Sequence, residues 1–121
     1  MSVAYFVVLN AEDPGFDPFV DGKVFTRHLE RINQIAATNG LPAFEDFASQ
    51  DLSEFGGPEE GDAWFEPGEG ISWVEAVSAH LQSDPSAVAE SQAVLEDLED
   101  YLRVFREADK RGLQWHLELD F

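Results

Sequence analysis

Cysteine is absent from this chain of 121 residues, which excludes disulfides and thiolate metal sites and is compatible with a reducing compartment. Basic residues are scarce: seven Lys and Arg stand against 25 Asp and Glu, for a formal charge of −18. A surface of that sign repels nucleic acid and anionic lipid, so direct binding to either is not expected. The apolar run at residues 3–9 is far shorter than the roughly 20 residues a membrane-spanning helix needs, and no basic leader precedes it. The expectation is a cytoplasmic protein without membrane association. Phosphate loops are missing as well. Gly68-Glu69-Gly70 lacks the G-x-x-x-x-G-K-[ST] spacing and has no Lys or Arg nearby, and nothing resembles the G-x-S-x-G nucleophile elbow.

What is present is a core. The chain is 44% hydrophobic and 12% aromatic, with ten Phe and three Trp, which is a globular composition. Its length fits a single domain over residues 1–121, able to bury roughly two-thirds of the surface that the unfolded chain exposes.

Residues 3–9 (VAYFVVL) are β-branched and aromatic at successive positions, as in a strand covered on both faces. Residues 10–22 hold two prolines and two glycines and read as loop. Asp21 is the expected N-cap of a helix from Gly22 or Lys23 to about Asn39, with Phe25, Leu29, Ile32, Ile35 and Ala36 on one face. Phe44, Phe47 and Ala48 suggest a short helix, residues 50–63 a loop, and Trp64-Phe65 a short strand or core anchor.

The next helix has two available starts. Glu66-Pro67 puts Pro at the first helical position with Glu69 in the first turn, whereas Ser72-Trp73-Val74-Glu75 matches a capping box. The earlier start is preferred because Ile71 already belongs to the series Val74, Val77, Ser78, Leu81. After Ser83-Asp84-Pro85, a stripe through Val88, Ser91, Val94, Leu95, Leu98, Tyr101, Leu102, Phe105 and Ala108 marks a last helix ending at Gly112. It covers only about three heptads, which favours core packing over a coiled coil. Residues 113–121 alternate strictly, as a strand with one buried and one polar face does. The expected architecture is α+β: a small sheet pairing the N- and C-terminal strands, packed against three to four helices. Because the first strand is apolar on both faces and the last is not, the second face needs cover from residues 44–65 or from a partner chain.

Few residues offer chemistry. Asp13, Asp17 and Asp21 fail the EF-hand pattern, since they are spaced by four and Val24 stands at the twelfth position. His116, Glu118 and Asp120 share one face of the last strand and are ligand types for zinc or manganese. Alternation alone also places polar residues on a solvated face, which is the simpler reading. His28 and His80 stand alone on their helices and read as structural. No cofactor is expected.

The charges are laid out unevenly. Between Ile32 and Leu102 there are 16 acids and no Lys or Arg. The bases form two groups: Lys23, Arg27 and Arg31 along one helical ridge, and Arg103, Arg106, Lys110 and Arg111 at the end of the last helix, where they suit the dipole. Like charges four apart destabilise a helix by a few tenths of a kcal/mol, about 0.2–0.5, so the ridge calls for acidic neighbours, most simply from the acidic middle.

The segments Ala4-Tyr5-Phe6-Val7-Val8-Leu9-Asn10, Trp64-Phe65-Glu66-Pro67 with Glu69-Gly70, and Trp115-His116-Leu117 with Asp120-Phe121 span nearly the whole chain. On these residues it resembles a group of small acidic bacterial proteins of uncharacterised function. The resemblance implies a cytoplasmic bacterial origin and carries no activity, cofactor or catalytic residue.

The leading expectation is a non-enzymatic interaction protein that binds a basic protein partner through its acidic middle, as immunity proteins, antitoxins and nucleic-acid mimics do. Glu54, Glu59, Glu60, Asp62, Glu66, Glu96, Asp97 and Asp100 are the expected acidic face. The alternative is a small divalent-metal-dependent enzyme or metal-binding protein using His116, Glu118 and Asp120. A homodimer that covers the second sheet face is a third reading.

Overall fold

The structure, a computed structural model, describes residues 4–47 and 64–120, with side chains over 7–47 and 64–118. Two strands, β1 (Ala4–Leu9) and β2 (Trp115–Asp120), pair antiparallel, with Val8 opposite His116 and Leu9 opposite Trp115. The helices are α1 (Lys23–Arg27), α2 (Leu29–Thr38), α3 (Pro67–Ser83) and α4 (Ser91–Lys110), with short 3-10 turns at Phe44–Phe47 and Pro85–Ala87. The chain is α+β, with its first and last strands forming the sheet. Among the described residues no helix is long and apolar enough to cross a membrane.

Each strand contributes alternate residues to the core. Val7 and Leu9 from β1, and Trp115 and Leu117 from β2, are buried against the helices. The long helix α4 brings Val94, Leu98, Tyr101, Val104, Phe105 and Ala108 to the same core, and α3 brings Trp73, Val74, Val77 and Leu81. Phe25, Phe44, Trp73 and Tyr101 meet with ring centroids 4.8–6.1 Å apart, mostly edge to face or tilted. Full burial of one such side chain is worth about 1.5–3 kcal/mol, so this aromatic centre is a principal source of stability. The indole N–H groups are satisfied: Trp73 donates to the Pro42 carbonyl at 2.8 Å and Trp115 to that of Glu66 at 2.9 Å.

The earlier start of α3 is the observed one. Pro67 occupies its first turn, and the Glu66 N–H donates to the Glu69 carboxylate at 3.3 Å. Three positions further on, Gly70 lets the helix approach the core closely. A Cβ there would lie 2.8 Å from the Phe105 ring and 2.9 Å from that of Trp115.

The expected helix over 23–39 is broken at His28 (φ −107°, ψ 18°), so α1 and α2 are separate. Asp21 does not cap α1. Gly22 stands at the N-cap in the left-handed region (φ 56°) and no side chain beside it caps the helix. The Asp97 carboxylate of α4 instead accepts the Phe25 N–H at 3.0 Å. Gly22 has no side chain to place over the first turn, and a distant carboxylate fills the role.

Candidate functional site

The sequence-separated bases and acids are joined by the fold. Arg27 and His28 both reach Glu90, at 3.0 and 2.8 Å. Arg31 donates to the Ala87 carbonyl at 2.9 Å and to Gln34 at 3.0 Å. From α4, Arg106 pairs with Glu75 at 3.2 Å, Arg103 with Asp100 at 2.9 Å, and Lys110 and Arg111 both with Glu107. Three acids of the base-free middle, Glu75, Glu90 and Asp100, are therefore supplied with bases in space. Hydrogen bonds from His28 and then Arg27 hold the Glu90 carboxyl below its usual range; Lys110 and Arg111 do the same for Glu107.

The expected acidic face divides. Glu54, Glu59, Glu60 and Asp62 lie outside the described residues. Glu66 stands at the start of α3, where its carboxylate accepts from Gln114 at 2.6 Å, beside β2. Glu96, Asp97 and Asp100 belong to the first half of α4. Glu96 is exposed and carries no ion pair among the described residues. Asp97 is half-buried at the start of α1, and burial, opposed by the Phe25 amide and aided by Asp21 and Asp100, raises its carboxyl above the ordinary value. Burial, then Asp97 and Asp100, also pushes the Tyr101 hydroxyl well up.

The metal-ligand reading meets a different geometry from a solvated strand face. His116 is only 1% exposed, because Trp64 stacks on its ring with centroids 4.1 Å apart. Its Nε2 lies 3.0 Å from a Glu118 carboxylate oxygen. Trp64 thus covers the second face at His116 of β2. The side chain of Asp120 lies outside the description, and the described residues contain no group of three ligand types able to hold a metal.

A region that the sequence reading left as plain loop stands out instead. Residues 10–22 run beside α4 and are fastened to it by two arginines. Arg103 donates to the carbonyls of Asp17 and Phe19 at 2.9 and 3.0 Å, and the Arg111 guanidinium sits 5.0 Å from the Phe16 ring centroid. Within the loop, Asp13 accepts from the Gly15 N–H and Asp17 from the Phe19 N–H, each two residues on. Glu12, Asp13, Asp17 and Asp21 stay exposed with no ion pair among the described residues. Phe19 is 64% exposed. The available signal was two phenylalanines inside a Pro- and Gly-rich acidic loop, a composition that solvation alone does not require.

Comparison with protein-family models, curated proteins and solved structures finds no match for this chain.

Proposed function

We propose that this domain is a non-enzymatic interaction protein that binds a basic protein partner through an acidic surface. The observation that carries this reading is the balance of pairing. Arg27, Arg103, Arg106, Lys110 and Arg111 are absorbed by Glu75, Glu90, Asp100 and Glu107, while exposed acids of the first loop and of α4 are left uncompensated. Asp17 and Asp21 of the loop, with Asp97 and Asp100 of α4, line one side of the molecule. Arg103 is the base bound among them, and its donors are spent on two carbonyls and Asp100. A field of one sign there speeds association with a complementary partner and makes it sensitive to salt. Immunity proteins, antitoxins and nucleic-acid mimics are the functional analogues.

A low-salt pull-down from the native host's lysate tests this. The expected result is retention of a basic protein that 0.5 M salt, on the order of five times the ionic strength at which the Debye length is 10 Å, releases. The Glu12→Gln/Asp17→Asn/Asp21→Asn variant should lose the protein, and Glu45→Gln/Asp84→Asn should keep it. No basic protein above background, or equal retention by both variants, overturns the reading. Adding Zn²⁺ or Mn²⁺ in a thermal-shift series addresses the alternative use of His116 and Glu118. A rise in melting temperature beyond that given by Mg²⁺, lost in Glu118→Gln, would favour a metal site.

A further inference from the structure

We propose that the hollow between β1 and the first loop is an anchoring pocket for an arginine side chain, with one aliphatic neighbour, of a basic partner protein. The inference rests on the reading that the partner is basic, and it names the side chains by which that partner is held.

The hollow has a volume of about 430 Å³, within the range of roughly 300–1,000 Å³ usual for ligand clefts. Ala11, Pro14, Pro18 and Phe19 of the loop line it and are exposed or half-buried. Val7 and Leu9 close its floor. At 4% and 7% exposed they belong to the core, so side chains can enter the hollow and main chain cannot.

Among the described residues Phe19 is the one large hydrophobic side chain left in solvent, at 64% exposed. The chain around it is nonetheless fastened. Arg103 binds the carbonyls of Asp17 and Phe19 at 2.9 and 3.0 Å, and the Asp17 carboxylate accepts the Phe19 N–H at 3.0 Å. Phe19 therefore stays in solvent on a backbone that is already held. Pre-ordering of this kind lowers the entropy lost on binding.

Charge selects the occupant. Glu12 and Asp17 are the charged residues that line the hollow; both are exposed, with no ion pair among the described residues. Arg103 and Arg111 reach the same loop but bind its carbonyls and the Phe16 ring, and neither lines the hollow. An apolar stem with a cationic head suits both parts of the site. The stem lies on Ala11, Pro14 and Pro18, and the head meets the two carboxylates and the Phe19 ring. Arginine does this better than lysine, because its guanidinium is weakly hydrated, stacks on rings and pairs with carboxylates in a plane. The hollow is larger than one such stem, which leaves room for the aliphatic neighbour. A second copy of this chain would approach against a like charge of −18.

The probe is a short capped peptide containing Leu-Ser-Arg, titrated into isotope-labelled protein at low salt. The expected result is that the shifts gather on Ala11 and Phe19. Binding should weaken about ten-fold or more in Phe19→Ala, in Glu12→Gln/Asp17→Asn, and when citrulline replaces the arginine. It should be unchanged in Glu45→Gln/Asp84→Asn. Phe19 is exposed, so its replacement should leave the melting temperature unchanged and the loss reports the pocket. If any of the three changes leaves binding intact, or the shifts fall on α4 instead, the pocket is overturned while the basic-partner reading stands. The same holds if an arginine homopeptide binds and the Leu-Ser-Arg peptide does not. If neither binds at low salt, both fall.

Discussion

The first loop and the stretch from Ile32 to Leu102 are both rich in acid, yet among the described residues only the stretch has acids paired with Arg or Lys. In the long stretch, Glu75, Glu90 and Asp100 receive arginines from α1 and α4. In the loop, Asp13 and Asp17 receive only main-chain amides, and the arginines that reach the loop bind its carbonyls and a phenyl ring. A run of like charges in sequence is therefore a poor guide to a patch in space, since helices can carry bases back onto it. The loop is short, closely held and left acidic.

The largest expected effect comes from breaking the junction between the loop and α1. Gly22 has φ 56°, and a Cβ there would lie 2.6 Å from the Tyr101 hydroxyl. Gly22→Val adds left-handed strain of about 1–2 kcal/mol to overpacking of about 1–3 kcal/mol. Urea denaturation should show a loss of about 2–5 kcal/mol on that arithmetic, and an unchanged midpoint would mean that the junction can yield.

Releasing the loop should cost less. Arg103→Met removes the clasp on Asp17 and Phe19 while keeping the aliphatic stem. We expect a loss of about 1–2 kcal/mol, discounted because the side chain is partly exposed. Hydrogen exchange should quicken in residues 15–20 but not in α3. A uniform change across the molecule would contradict a local clasp.

The smallest effect sharpens the comparison by pH. Burial raises the Asp97 carboxyl, so the folded chain holds that proton more tightly than the unfolded chain does. The contribution is full below the ordinary aspartate value of 3.8 and is lost as pH rises through the higher folded value. Asp97→Asn keeps an acceptor for the Phe25 N–H and removes the charge. Relative to the wild type it should gain stability between pH 3 and pH 7, as read by paired urea melts; a relative loss would refute the assigned sign.

Much of the fold was legible because its signals are local. The alternation in 115–120, the β-branched run before Asn10, Pro67 followed by Glu69, and the apolar stripe of α4 each specify one element through its own neighbours. The break at His28 was not legible, nor was the replacement of Asp21 by Asp97 at the start of α1. Both depend on residues far away in the chain. Glu90 is a further case: its φ of 61° at the start of α4 carries no glycine signal, and its side chain bridges Arg27 and His28. Of the expected site residues, His116 lies on β2 but is buried rather than solvated, because period-two alternation says which face a side chain takes but not that Trp64 stacks over it.

By itself, then, the sequence determined the class of fold, the pairing of its two end strands and the excess of negative charge, all of which follow from periodicity and composition. Only the tertiary structure decided which acids are neutralised, that Phe65 bridges to Trp115 at the outer edge of β2, and that Phe19 remains in solvent. Those outcomes depend on contacts between residues tens of positions apart, and hydrophobic patterning constrains such contacts without specifying them.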